Sequence, residues 1–331
     1  LFQYRLSANR VTRRLALTFA GTLALLAVSP AVPAHAAGTP APSASVSASA
    51  AIQDKTAGLS LRGIKLGDGI ARVTAKLGSP DRKDTSEYGL QWFVYNVDYT
   101  KFAMIGIRNG VVAGLYSNAK VWTTGSGTAL ALATADAWKQ AGSTAPLPAP
   151  DYASSVSFTK SSRKVTLFTD RLAQGKLAGL LVTDVRAAAA AEQADKSRPE
   201  LLAAYEREML DLVNAARVRI ALKPFAWDGK ASDSARLHSA DMAENNYFDH
   251  RDLQGLSPFD RMANAGIRYG RAAENIAAGY ANALYAHSGW LNSKGHRVNL
   301  LNPKLTRLGA GAASGGSYGL YYTQNFYTPL A

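Results

Sequence analysis

A chain of 331 residues without a single cysteine has no covalent staple available, so each folded part must be held by packing, hydrogen bonds and charge alone. The same absence removes thiolate metal ligands and thiol nucleophiles, and leaves histidine, carboxylate and hydroxyl groups to carry any chemistry. At 47% hydrophobic and 18% charged residues the chain can bury apolar cores, and its length allows two domains.

Residues 1–36 read as an export signal: Arg5, Arg10, Arg13 and Arg14 precede the apolar run Leu15 to Val28, followed by Pro30, Pro33 and an Ala34-His35-Ala36 cleavage box. As a helix that run would rise about 20 Å, short of a hydrocarbon core near 30 Å, so no transmembrane helix is expected in the mature chain. Arg13-Arg14 leaves twin-arginine export open beside the general route. Residues 37–57, rich in Ala, Ser, Pro, Gly and Thr, have too few large apolar groups to offset ordering entropy and read as a flexible linker. The expected destination is extracellular, with retention at the cell wall as an option. The net charge of +13 is uneven: about seven units fall between Gly38 and Arg198 and only about two in the C-terminal part. Such a basic surface suits anionic wall polymers or lipid head groups, and no nucleic-acid partner is expected outside the cell; a merely solvated basic face reads equally from the composition.

Residues 58–187 have an α+β pattern of short apolar stretches, Gln91 to Val97, Phe102 to Ile107 and Val111 to Tyr116 among them, split by turn residues. Asn109-Gly110 is a type I′ hairpin signal because both turn positions need positive φ. The run from Asn109 to Tyr116 is echoed from Gln174 to Leu181, which points to an internal duplication with a period near 65 residues. No acid, base or metal constellation stands out there, so a binding or spacer role is expected. Residues 188–199 read as a helical or flexible connector. Beyond it, Leu202, Tyr205, Met209 and Val213 recur at helical spacing, and Lys230 to Asn245 gives a second helix with Ala231, Ala235, His238 and Met242 on one face. Ser257-Pro258 opens a third helix, Asn282 to Ser293 forms a fourth that ends at Gly295, and Leu305 to Ala313 with Tyr318 to Tyr327 forms a terminal hairpin.

Four of the five histidines fall between His238 and His296, alongside Glu274-Asn275-Ile276 and the run Trp290 to Arg297. Imidazole and carboxylate together can hold a divalent metal such as zinc or move protons near neutral pH. Open alternatives attach to each: a hydrogen-bonded core histidine for His238, and a helix-end imidazolium stabilised by the helix dipole for His296. His250 and Glu274 are expected in or beside turns. No Gly-x-Ser-x-Gly elbow and no His-Glu-x-x-His helix is present.

Residues 200–331 resemble the CAP superfamily of cysteine-rich secretory proteins, antigen 5 and pathogenesis-related proteins, in its bacterial SCP-like form. The resemblance is carried by Val213 to Arg217, His238 to Met242, Tyr247-Phe248-Asp249-His250, Glu274 to Ala277, Trp290 to Arg297 and Tyr322 to Phe326. Residues 58–187 resemble the domain that precedes secreted bacterial CAP domains, through Gly63 to Gly67, Leu77 to Pro80 and Glu87-Tyr88-Gly89. The resemblance implies an α+β protein: a three-layer α-β-α sandwich preceded by a smaller duplicated α+β domain. Of the cleft tetrad of two histidines and two glutamates in eukaryotic members, His250 and Glu274 correspond to one of each. Ser293 and Tyr321 stand where the other glutamate and histidine fall. Bacterial-type members bring His238 and His296 instead. The expected cleft is therefore His238, His250, Glu274 and His296, with Asn275, Ser293 and Tyr321 as further lining. His250 and Glu274 are the catalytic candidates, and His238, His250 and His296 the metal candidates. His287, at a position where family members carry an apolar residue, is left out. The expected function is recognition of an extracellular ligand, a lipid, peptide or wall fragment. A metal-assisted hydrolase or peptidase and a non-catalytic structural envelope protein are the alternatives, and whether the chain is an enzyme, and its oligomeric state, stay open.

Overall fold

The computed structural model describes residues 58–144 and 154–330. The expected signal at 1–36 and linker at 37–57 lie outside the described residues.

The N-terminal part runs β1 (Ser60–Leu61), α1 (Ile70–Leu77), β2 (Arg82–Thr85), β3 (Gln91–Tyr95), β4 (Ala103–Arg108), β5 (Val111–Ser117), β6 (Trp122–Thr123), α2 (Thr134–Gln140), β7 (Ser155–Lys160), β8 (Arg163–Asp170), β9 (Lys176–Asp184) and α3 (Val185–Gln193). Its main sheet has seven antiparallel strands in the order β2-β3-β4-β5-β9-β8-β7. The echo between Asn109 and Gln174 is structural. Asn109 and Gly110 take φ of 53° and 76°, and Gln174 and Gly175 take 60° and 70°. Each hairpin has a one-residue bulge, at Ala113 and at Ala178. Each turn carbonyl also receives the first amide of its own helix: Ile70 N donates to Gly110 O at 2.8 Å and Thr134 N to Gly175 O at 3.2 Å. The last strands of the two copies, β5 and β9, then pair with each other.

One face of this sheet, with Phe93, Ile105, Leu115, Val165 and Val182, packs with Val73 of α1 and Trp138 of α2. The other face, with Trp92, Val94, Met104 and Leu181, joins Leu201, Tyr205, Met209 and Trp290 of the C-terminal part in one continuous core. The expected connector is mostly helix: α3 extends through Gln193 and buries Ala187 and Ala188.

The C-terminal part runs α4 (Pro199–Val218), β10 (Ala226–Trp227), α5 (Gly229–Glu244), α6 (Pro258–Asn264), β11 (Tyr269–Ala278), α7 (Ala283–Leu291), α8 (Lys294–Leu300), β12 (Arg307–Gly315) and β13 (Gly319–Pro329). Its sheet order is β10-β12-β13-β11, which leaves β11 at an edge. Strand β12 makes the three layers possible by alternation. Leu308, Ala310 and Ala312 enter the core shared with α4, while Gly309 and Gly311 face α5. A Cβ at either glycine would lie 2.1 Å from a backbone nitrogen of α5, so only glycine lets that helix lie so close to the sheet. The result is the expected α-β-α sandwich.

Local chemistry explains most helix boundaries. Pro199 occupies the first turn of α4, Asp228 caps α5, and Ser257 with Asp260 forms a capping box at α6. The expected helix from Asn282 to Ser293 is α7, which stops at Leu291; Ser293 then takes an extended conformation and a further helix, α8, follows it. His296 therefore lies in the opening turn of α8 and not at a helix C-terminus, so the helix dipole there opposes its protonated form.

Candidate functional site

Glu274 was expected near a turn, but it sits within β11, opposite Asn325 of β13, with its side chain only 1% exposed. Alternation along an edge strand turns it toward α5 and α6, where three groups meet its carboxylate. His250 Nδ1 lies 2.7 Å from Oε1, Arg261 Nη2 donates to Oε2 at 2.8 Å, and the Asn325 amide, with its oxygen accepting from Ala235 N, donates to Oε2 at 3.2 Å. A buried carboxylate survives only with such partners.

Arg261, on α6, also ties down the loop that carries His250: its Nη1 donates to the carbonyls of His250 at 2.9 Å and Leu256 at 3.0 Å. From the other side, His238 Nε2 meets the Asp249 carbonyl at 3.0 Å. A carbonyl only accepts, so the proton of neutral His238 is on Nε2. The histidine next along the loop is thus fixed at its backbone by Arg261 and His238 and at its ring by Glu274. Its side chain stays 49% exposed, and its contact with Glu274 through Nδ1 leaves Nε2 for solvent or a ligand.

His238 itself is buried, with Nδ1 lacking a partner, and burial lowers its pKa, helped by the charge of Arg261 and opposed by Glu274. It acts as a loop anchor. His296 comes from the opposite side of the β11 edge: Asn275 Nδ2 donates to its carbonyl at 3.2 Å, and Asn299 Nδ2 donates to Asn275 Oδ1 at 2.9 Å. Burial and then the nearby His250 lower the His296 pKa. Asn275, wholly buried, is a brace between strand and helix and does not line a groove.

Two expected lining residues are not part of this arrangement. Tyr321 is fully enclosed, packed with Met242, Ile276 and Ala313, because its position on β13 faces the α5 layer well inside the sheet. Ser293 opens α8 without a side-chain cap bond and makes no hydrogen bond to the site residues. The three metal candidates also fail to form a ligand set: among the described residues no group of three or more His, Asp or Glu side chains could hold a metal ion. The reason is local, since His238 Nε2 is taken by a backbone carbonyl and both Glu274 oxygens are taken by donors. Arg261 and Asn325 were not expected. An isolated arginine on a short helix gives no periodic or spacing signal, and Asn325 lay within a motif whose chemistry seemed spent on strand pairing.

The open rim is apolar. Phe248, Leu253 and Phe259 from the same loop and helix, and Val298 of α8, are all exposed, and Phe248 leans on Tyr318 at a ring distance of 6.0 Å. The geometry places a carboxylate-oriented imidazole at the edge of a sheet, with exposed apolar side chains on its own loop and on α6 and α8.

A model of the cysteine-rich secretory protein family matches residues 210–326, and a model of the CAP-associated N-terminal domain matches residues 66–141. An uncharacterized membrane protein of Bacillus subtilis, YlbC, is 31% identical over 288 residues, covering 77% of this chain and 80% of that protein. A second uncharacterized Bacillus subtilis protein, YkwD, is 42% identical over 146 residues, 44% of this chain and 56% of that one. Among solved structures, an extracellular SCP-domain protein of Bacillus anthracis superposes with a TM-score of 0.63 at 26% identity, over 79% of this chain and 93% of its own. A cysteine-rich secretory protein of Staphylococcus aureus shares the fold at a TM-score of 0.60 and 15% identity, over 79% and 91%. Among the described residues no helix is long and apolar enough to cross a membrane.

Proposed function

This chain belongs to the cysteine-rich secretory protein family, and from that premise we propose that its groove at the β11 edge recognises an extracellular ligand after export, at or near the cell wall. The observation that carries the reading is His250, half exposed and held by Glu274 through Nδ1, on a loop whose Phe248 and Leu253 are also exposed. A polar group hydrogen-bonded to Nε2 and an apolar portion against Phe248, Phe259 and Val298 describe a lipid, an acylated wall fragment or an apolar peptide. Binding of the full mature chain to lipid vesicles, soluble wall fragments and peptides tests this. His250→Ala and Glu274→Gln should each weaken the interaction at least tenfold with the fold intact. Undiminished binding in both variants would remove the groove as the site.

The same geometry supports a second reading, hydrolysis. A carboxylate that fixes an imidazole leaves Nε2 able to take a proton from water as it attacks a carbonyl. Turnover of peptide and ester substrates that is abolished in His250→Ala, while binding persists, would favour it. Zinc enters only through titration. Stoichiometric binding at pH 7.5 that weakens at pH 5 would give His250 and His296 a metal role.

A further inference from the structure

A second cavity, remote from His250, lies in the seam between the two parts of the molecule. It holds about 190 Å³ and is lined from three sides: Glu87 and Tyr88 from the loop after β2, Lys164, Thr166 and Thr183 from β8 and β9, and Asn282 with Tyr285 at the start of α7. Alanines 188 and 191 of α3 form an apolar wall. A cavity near 150 Å³ accepts a benzene-sized molecule, so this one has room for roughly ten heavy atoms.

Its floor is polar and enclosed. Glu87, Tyr88, Thr166, Thr183 and Asn282 are each at least nine-tenths buried. The Asn282 amide donates both to Glu87 Oε1 and, at 3.1 Å, to the Tyr88 hydroxyl. Among the described residues no cationic side chain forms an ion pair with the Glu87 carboxyl, whereas Asp211 of α4 is met by Arg82 at 2.6 Å. Its rim carries charge of the other sign: Lys164 and Lys196 stand there, with Lys164 Nζ 3.8 Å from Glu192 Oε1. The lining thus combines a buried carboxyl with two more exposed ammonium groups, one of which, Lys164, already faces Glu192.

We propose that this seam cavity is a binding site for a small free amino acid, with the ligand's ammonium on Glu87 and Tyr88 and its carboxylate toward Lys164 and Lys196. A simple amine would leave Lys196 unanswered, and a simple carboxylate would face Glu87. The volume admits side chains up to about the size of leucine. Because the lining comes from both parts of the chain, an occupant would also bind the two together, so that ligand and seam stabilise one another. The site is independent of the groove reading, since none of its residues touches His250, Glu274 or Arg261.

Calorimetric titration and thermal melting of the full chain with alanine and leucine test the proposal, with alanine amide and N-acetylalanine as probes that each lack one charge. Alanine or leucine should bind and raise the melting temperature, and each one-charge probe should bind at least tenfold more weakly. Glu87→Gln, which keeps an acceptor for Asn282, should lose at least tenfold in affinity while folding normally; Lys164→Ala with Lys196→Ala should do the same through the carboxylate. Absence of binding by both amino acids, equal binding by the one-charge probes, or unchanged affinity in Glu87→Gln would each overturn it.

Discussion

Glu274 and Glu87 are two glutamates withdrawn from water in one molecule, and they are handled in opposite ways. Glu274 is answered by the Arg261 guanidinium at 2.8 Å and a histidine ring, so its charge is balanced where it stands and serves to aim His250 outward. Glu87 is answered by the Asn282 amide, and burial pushes its pKa up from the ordinary 4.5 to about 7. Glu208, on α4, is raised by burial too, and further by the charge of Glu87. At the β11 edge a cation is built in beside the carboxylate, whereas at the seam burial raises both carboxyls and an incoming cation is what would favour the charged form of Glu87. The placement of one cation separates the two, and each prediction below tests that claim.

The largest effect is expected from removing that cation. Arg261→Ala leaves Glu274 buried with only His250 and Asn325 and frees the carbonyls of His250 and Leu256. Breaking a buried pair from one side costs about 3–5 kcal/mol, which urea denaturation would measure. Glu274→Gln added to Arg261→Ala should recover part of that loss, because it removes the stranded charge. A loss below about 1 kcal/mol would mean that the guanidinium is not what holds Glu274.

The seam gives the next effect, and its direction follows from the raised pKa. Below the ordinary value of 4.5 both folded and unfolded chains hold the Glu87 proton; between there and about 7 only the folded chain does, so stability contributed by this group falls as pH rises. The loss is complete above the folded value and amounts to about 3 kcal/mol. Glu208, Lys196 and Tyr205 share the field around Glu87, so the informative quantity is the difference between wild type and Glu87→Gln. That variant should be near wild type at pH 4.5 and more stable by a widening margin up to pH 8. Parallel stability curves would show that Glu87 titrates alike in both states.

Much of this architecture was legible beforehand because it is written in local chemistry. Asn109-Gly110 needs positive φ, Ser257-Pro258 opens a helix, and the echo of Asn109 to Tyr116 in Gln174 to Leu181 marks a duplication whichever partner strands it finds. The sandwich was equally accessible through its motifs. What stayed hidden depends on which side of a sheet a residue takes and what arrives there from elsewhere. Glu274 reads as a turn residue amid alanines, yet pairing with β13 makes it a strand residue turned toward α6. Asn275 points to the opposite face of the sheet, and Tyr321 shares the face of Glu274 but is enclosed farther along it, against Met242 and Ile276. Arg261 carries no periodic mark, and the split between α7 and α8, which relocates His296, turns on the extended backbone at Ser293.

His287 offers the smallest test and the cleanest, because it is a buried titratable group with no counterpart at all. Its ring is enclosed in α7, neither nitrogen has a hydrogen-bond partner, and burial lowers its pKa from 6.5 to about 4. The sign is opposite to that of Glu87. Above 6.5 the ring is neutral in both states and this titration costs nothing; as pH falls from 6.5 toward 4 the unfolded chain takes the proton first and stability is lost. His287→Leu, which fills the position with the apolar side chain its surroundings call for, removes both liabilities. It should stabilise by about 1–2 kcal/mol at pH 7.5, from the two unsatisfied nitrogens alone, and by a larger margin at pH 5. Because Glu87→Gln gains at high pH and His287→Leu gains at low pH, the double variant should have a flatter stability profile than either. A His287→Leu chain less stable than wild type at pH 5 would mean that the ring is satisfied in solution and that burial alone does not set its cost.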